Sequence, residues 1–238
     1  MTPVPHRAPP LNVIPFMKVD ADAPTVLLTP RQREELARIG TRLRLPARTL
    51  IYREESAAQW VFAIAEGVVK SYRELPSGRR AITAFLFARD LFGLAENGRY
   101  VNAAQAITRV VVYRLPVTEL AVLLKHDSDL QFKFLMKVTH ALREAQRRAI
   151  LVTRRDAAGR LAMFIALMRE HQDRAAPGSR AVSLPMTRSD IAGFLSLSLE
   201  SVSRAAAELE RLGLVEFEGR HHVSVVDQDG LARLVAAV

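Results

Sequence analysis

Leu184-Pro185-Met186-Thr187-Arg188-Ser189-Asp190-Ile191-Ala192-Gly193-Phe194-Leu195-Ser196-Leu197-Ser198-Leu199-Glu200-Ser201-Val202-Ser203-Arg204 splits into two short helices. Thr187 can cap the first, with Asp190 three residues on in a capping-box-like pair. Ile191 and Leu195 give that helix an apolar face, and Ala192 leaves room for close helix contact. A turn at Ser196–Ser198 follows, and Ser198 can cap the second helix. Val202, Ala206 and either Leu209 or Leu212 would pack inward. Two capped helices joined by a turn this short make a helix-turn-helix.

That arrangement leaves Leu199, Glu200, Ser203 and Arg204 facing outward near the start of the second helix. In this motif those positions meet base edges in the major groove. Arg204 can give two hydrogen bonds to guanine, Glu200 can accept from cytosine N4, and Ser203 can do either. Thr187, Arg188, Ser198 and Ser201 suit backbone phosphates, which set position rather than sequence. The bland alternative for Glu200 and Arg204 is an i,i+4 surface ion pair of about 0.3–0.5 kcal/mol. Downstream, Gly213 to Val226 reads as a hairpin with Gly219, Arg220, His221 and His222 at its tip, the wing of a winged helix-turn-helix. Arg220 is a further backbone candidate, set against a merely solvated turn.

Outward from the motif the texture changes. Ala175-Ala176-Pro177-Gly178-Ser179 reads as a linker. Before it, a helix over about Asp156–Gln172 carries Leu161, Phe164, Ile165 and Met168 on one side. A long helix precedes that one, capped by Asp127 or Ser128 and free of Pro and Gly to about Arg155. Its apolar residues Leu135, Val138, Leu142, Ala145, Ala149 and Val152 recur at a 3.5-residue period, which suits a paired helix. The competing reading packs that stripe on the chain's own barrel. Pro116 stands at an N1-like position of a short helix reaching Lys125. From about residue 41 to 115, short alternating runs are separated by turn signals: Arg42–Leu45, Trp60–Ile64, Val68–Tyr72, Ala81–Leu86 and Ala106–Leu115. They suggest a compact antiparallel barrel or sandwich. Thr29-Pro30 opens a helix running to about Gly40, after a Pro-rich lead.

Composition narrows the chemistry. With 238 residues, 49% hydrophobic and 25% charged, the chain has an ordinary globular composition. It has no cysteine, so a disulfide, a thiolate nucleophile and a cysteine-ligated metal or cluster are excluded. No apolar run approaches the ~20 residues of a membrane span. The first 19 residues hold five prolines and no continuous apolar stretch, so they do not read as a secretory signal, and a cytoplasmic protein is expected. The net charge of +9 suits a nucleic-acid partner. Yet residues 1–126 carry +7, residues 127–179 carry +4 and residues 180–238 carry −2. The segment that would read bases is itself acidic.

The chain resembles the Crp/Fnr superfamily of bacterial transcription regulators, and within it the Fnr/FixK branch. The likeness rests on Met186-Thr187-Arg188-Ser189-Asp190-Ile191-Ala192 followed by Glu200-Ser201-Val202-Ser203-Arg204, and covers about residues 30–235. It implies an α+β chain: an N-terminal double-stranded β-roll (cyclic-nucleotide-binding-like) domain, a long dimerisation helix and a C-terminal winged helix-turn-helix. The expected boundaries are a Pro-rich extension over 1–29, the β-roll over 30–126, the dimerisation helix over 127–155 and the DNA-binding domain over 156–238. The resemblance makes Glu200, Ser203 and Arg204 the base-reading set. It implies a non-enzymatic homodimer on a palindrome with TTGA-like half-sites. Its partners would be double-stranded DNA, a second copy and, for an activator, RNA polymerase, with no membrane role.

Phe87-Ala88-Arg89-Asp90-Leu91-Phe92-Gly93-Leu94 resembles the family's Pro-Gly-Asp-Phe-Phe-Gly turn, with Ala88-Arg89 replacing Pro-Gly. Cyclic-nucleotide-binding relatives hold the phosphate with a Glu and an Arg-Ser or Arg-Thr pair. The matching stretch here, Leu94–Ala103, has Tyr100-Val101 where that pair belongs, so no cyclic nucleotide is expected. The cysteines that ligate an iron–sulfur cluster in oxygen-sensing relatives are missing, and no cofactor is expected. Ser196 stands where the family has Gly in the turn. In a left-handed conformation it would cost about 1–2 kcal/mol.

Three rivals remain. A cupin-like metal enzyme needs histidines inside the barrel. The six histidines are His6, His126, His140, His171, His221 and His222, none between 41 and 115. A haem-gated regulator of the same architecture would need His126, His140, a Met or a Tyr as axial ligand, whereas one gated by another small ligand would not. A ligand-binding module with no DNA role would leave Arg204→Ala silent in a DNA-binding assay.

Overall fold

A computed structural model describes residues 28–154, 156–173 and 181–236. The Pro-rich stretch over 1–27 and the linker read at Ala175–Ser179 lie outside the described residues. The first helix, α1 (Pro30–Ile39), starts at Thr29, whose hydroxyl accepts from Gln32 N–H while the Gln32 side chain returns the bond to Thr29 N–H. Ten strands follow: β1 (Thr41–Leu45), β2 (Leu50–Tyr52), β3 (Trp60–Glu66), β4 (Val69–Glu74), β5 (Arg80–Leu86), β6 (Leu91–Phe92), β7 (Ala95–Glu96), β8 (Arg99–Tyr100), β9 (Ala103–Ala106) and β10 (Val110–Pro116). They form two four-stranded antiparallel sheets, ordered β1-β10-β3-β6 and β2-β9-β4-β5, with β7-β8 as a separate hairpin. This is the β-roll that the resemblance implied.

Two details differ from the sequence reading. The run Ala106–Leu115 is two strands rather than one, because the chain changes sheets within it. β9 pairs with β2 and β4, whereas β10 pairs with β1 and β3. Pro116 ends β10 and is the N-cap of α2 (Val117–His126), not its first helical residue, since Val117 N–H bonds to Gln59 O in the barrel. The turn before β6 has Arg89 at φ 78°, where the resembled pattern has Gly. Asp90 holds it by accepting Phe87 N–H at 2.9 Å, and Arg89 N–H bonds to Ile64 O at 2.8 Å.

The inner faces of the sheets close over Phe62, Ile64, Val69, Phe92, Tyr100, Val110 and Val112. Tyr100 stacks on Tyr52 with centroids 3.9 Å apart, and Phe62 stacks on Phe92 at 5.1 Å. The Tyr100 hydroxyl donates to Trp60 O at 2.8 Å, so the buried phenol is satisfied. Burial raises the pKa of Tyr52, and more weakly that of Tyr100.

The long helix, α3 (Ser128–Thr153), is capped by Asp127, which accepts Leu130 N–H at 2.8 Å. That bond, and a second from Gln32, lower the Asp127 carboxyl below its ordinary pKa. After α4 (Ala157–Asp173) come β11 (Ala181–Ser183), α5 (Arg188–Leu195), α6 (Leu199–Arg211), β12 (Val215–Glu218), β13 (His222–Val225) and α7 (Gln228–Ala236). A second core runs without interruption from Tyr72, Ile82 and Phe85 on the β-roll, through Leu161, Phe164 and Ile165 of α4, to Met186, Leu195, Val202 and Leu209. Phe85, Phe164 and Phe194 meet at the junction with centroids 5.2–6.0 Å apart. Each such ring contributes about 1.5–3 kcal/mol by leaving water. The two halves are therefore packed together rather than loosely tethered.

Candidate nucleic-acid interface

The start of α5 is held from both sides. Thr187 Oγ1 accepts Asp190 N–H at 3.1 Å and donates to Asp190 Oδ2 at 2.8 Å, while Thr187 N–H reaches the same oxygen at 3.2 Å. The other carboxylate oxygen, Oδ1, accepts Lys70 Nζ of β4 at 2.5 Å. Both side chains are nearly buried, at 11% and 12% exposure, so the β-roll grips the helix-turn-helix at its first turn. Further along, Gly193 faces the β5 backbone, where an added Cβ would stand 2.7 Å from Arg80 O.

The turn after α5 is closed by a left-handed residue. Ser196 has φ 56° and ψ 39°, and Leu197 N–H bonds back to Ala192 O at 2.9 Å. A side chain at such a position carries the conformational cost anticipated for Ser196. Arginines from elsewhere bond the carbonyls this ending leaves open: Arg148 Nε to Phe194 O (3.2 Å), Arg160 Nη1 to Leu195 O (3.0 Å) and Arg79 Nη2 to Leu197 O (3.2 Å). Desolvation lowers the pKa of Arg148.

Ser198 caps α6 by accepting Ser201 N–H at 3.0 Å, and its hydroxyl meets that of Ser201 at 2.9 Å. Val202, Ala205, Ala206 and Leu209 are buried beneath α6. Leu209 is thus the inward leucine, and Leu212 is exposed. On the opposite face Leu199, Glu200, Ser203 and Arg204 are all exposed. Ser203 Oγ donates to Leu199 O at 3.1 Å, and Arg204 Nη1 lies 3.6 Å from Glu200 Oε1. Those two side chains are 72% and 77% exposed, so the pair is weak and free to exchange for other partners.

The wing is a three-stranded sheet ordered β11-β13-β12, with β11 as a strand that the sequence did not announce. His222 belongs to β13, paired with Glu218 and Ser183, and His221 Nδ1 lies 3.0 Å from Leu184 O. The tip is therefore narrower than the sequence reading had it, with Gly219 at φ 69° and Arg220 exposed beside it. Arg188 is half-buried, its guanidinium 5.5 Å from the Phe217 ring centroid. Of the eight acidic residues in 180–238, six lie at or beyond Glu208, and Asp190 is buried against Lys70. Only Glu200 remains at the α6 entrance, which accounts for an acidic segment that still presents Arg188, Arg204 and Arg220. Lys70, Arg79 and Gly193 were not singled out from the sequence. The only local hint was a lysine in the middle of the apolar run Val68–Tyr72.

A β-roll joined through a long helix to a winged helix-turn-helix, with an exposed polar face at the start of its second helix, defines a DNA-binding transcription regulator. The comparisons agree in both halves. Residues 42–127 match the cyclic nucleotide-binding domain family and residues 159–234 the Crp-like helix-turn-helix domain family. The transcriptional activatory protein AadR of Rhodopseudomonas palustris is 32% identical over 188 residues, covering 79% of each chain. The nitrogen fixation regulation protein FixK of Bradyrhizobium diazoefficiens is 30% identical over 203 residues, covering 85% of each. The solved structure of FixK2 from Bradyrhizobium japonicum superposes with TM-score 0.76 at 32% identity, covering 84% of this chain and 99% of that one. The chain belongs to the Crp/Fnr superfamily, in its Fnr/FixK branch.

Proposed function

We propose that the protein works as a cytoplasmic homodimer that reads a palindrome with TTGA-like half-sites through Glu200, Ser203 and Arg204, without catalysis of its own. Thr187, Arg188, Ser198, Ser201 and Arg220 hold the DNA backbone in this reading. The boundaries expected from the sequence serve as its working parts: β-roll over 30–126, dimerisation helix over 127–155 and DNA-binding domain over 156–238. The observation that carries it is the inverted amphipathicity of α3. Its apolar stripe is exposed, with Leu135 at 58%, Val138 at 44% and Leu142 at 58%, and Ala145 and Ala149 are exposed as well. Its polar side, including Lys137, His140, Glu144 and Arg147, instead faces the chain's own β5 and α4. A solvent-facing apolar seam of this period is what a second copy of the same helix covers. Val152, at the end of the stripe, is half-buried against the chain's own core.

The β-roll supports regulation without a cyclic nucleotide. Tyr100, where the phosphate-holding pair would begin, is turned into the aromatic cluster with Tyr52, Phe62 and Phe92. Those residues do not fit a cyclic phosphate. Among the described residues no group of three His, Asp or Glu side chains is placed to hold a metal ion. No helix of the described residues is long and apolar enough to cross a membrane. AadR is named for activation, and RNA polymerase is the protein partner if this chain activates likewise.

Sedimentation equilibrium tests the assembly. The wild type is expected at twice the 26.5 kDa chain mass. Leu142→Glu, which places charge in the seam, is expected to run as a folded monomer with unchanged far-ultraviolet circular dichroism and no palindrome binding. A monomeric wild type, or a Leu142→Glu dimer that still binds, contradicts the reading.

A further inference from the structure

We infer that the β4–β5 hairpin of the β-roll extends the DNA-backbone surface, with Arg79 as the side chain that meets a phosphate. The inference rests on the DNA-reading face proposed above and adds a contact from the other half of the chain. The hairpin is placed for it by direct packing. Its strand β5 lies against Gly193 of α5, at the close approach to Arg80 O. Arg79 Nη2 donates to Leu197 O, one residue before the N-cap of α6. The guanidinium therefore stands beside the entrance of the helix that carries Glu200, Ser203 and Arg204.

Its charge is also the one the hairpin leaves open. Arg73 is paired with Glu54 at 2.6 Å, and Arg80 with Glu74 at 3.2 Å while lying 4.9 Å from the Tyr72 ring centroid. Arg79 is exposed and, among the described residues, has no carboxylate within ion-pair distance. A guanidinium has five N–H donors, and one of these is engaged. A phosphate matches the remaining fork in shape and charge. The hairpin turn, closed by Leu75 N–H to Arg79 O and Gly78 N–H to Leu75 O at 2.8 Å, fixes where the side chain starts. Residues 180–238 carry −2, so backbone attraction from the β-roll side supplies what that segment lacks.

The test is the salt dependence of binding, by fluorescence anisotropy on a palindromic duplex with wild type, Arg79→Gln and Arg79→Lys. Each neutralised phosphate contributes about 0.9 to the slope of log K against log salt. Arg79→Gln is expected to flatten the slope by about 1.8 per dimer, so that between 50 mM and 200 mM salt it loses about 12-fold less affinity than wild type. Its preference for the palindrome over a one-base variant should stay as it was, and its melting temperature should fall by only about 1–6 °C, the cost of the lost bond to Leu197 O. Arg79→Lys keeps the charge and should keep the slope. An unchanged slope in Arg79→Gln overturns the inference while leaving the reading face intact. That holds also if transcription falls, which would assign the hairpin to a protein partner. A wild type that binds no duplex overturns both.

Discussion

Arg204→Ala is expected to abolish sequence-specific DNA binding in a protein that remains folded. The side chain is 72% exposed and, among the described residues, its ion pair is the loose one to Glu200, so truncation opens no cavity. Losing a surface pair of about 0.3–0.5 kcal/mol moves the melting temperature by about 1–2 °C at this chain length. Each two-pronged contact to guanine is worth about 1–3 kcal/mol. A dimer loses two of them, which is about 30-fold to 20,000-fold in affinity. Anisotropy titration on the palindrome and on a scrambled duplex measures this, and the loss should be confined to the palindrome. Arg204→Lys keeps the charge but not the planar fork, so it should also lose discrimination. Equal affinity of the alanine variant and wild type for the palindrome would remove Arg204 from the reading set.

Lys70→Ala is expected to have the largest effect on stability. The ammonium is buried against Asp190, whose other oxygen is already engaged by Thr187. Without Lys70, a buried carboxylate at the seam between the two halves loses its charge partner. Breaking such a pair from one side costs about 3–5 kcal/mol, or about 6–20 °C in melting temperature for a chain of this size. Combining Lys70→Met with Asp190→Asn removes both charges and keeps a capping side chain, so it should be less damaging than Lys70→Ala alone. A differential scanning calorimetry trace for Lys70→Ala within 2 °C of wild type would show that the pair does not hold the halves together.

The helix-turn-helix was legible because each of its signals is local. Thr187 and Asp190 lie three residues apart, as do Ser198 and Ser201, and the buried and exposed sides of α6 follow from helical spacing. The β-roll was legible where strands run five residues or more and alternate, as in β1, β3 and β5. Strands of two or three residues, such as β2, β6, β7, β8 and β11, are too short to carry a period, so they surfaced only with their partners. The split of Ala106–Leu115 was hidden for a related reason. No Gly or Pro marks it, and pairing across two sheets decides it. The α3 stripe was visible as a 3.5-residue repeat, but whether it faced the barrel or solvent depended on how α4 and β5 pack on its other side.

The grip between the halves could not be read at all. Lys70 and Asp190 are 120 residues apart, and Arg79 and Leu197 are 118 apart. Nothing in either local stretch names the other. These contacts give the β-roll a mechanical route to the reading face. Lys70 joins β4 to the first turn of α5, and Arg79 joins the β4–β5 hairpin to the entrance of α6.

The most direct measurement is a selection of bound duplexes from a random-sequence pool with the purified full-length protein. Enrichment of a two-fold symmetric sequence is predicted, with TTGA-like half-sites whose centres lie about one helical turn, ~34 Å, apart. Recovery of no preferred sequence, or of a single unsymmetrical site, would contradict it.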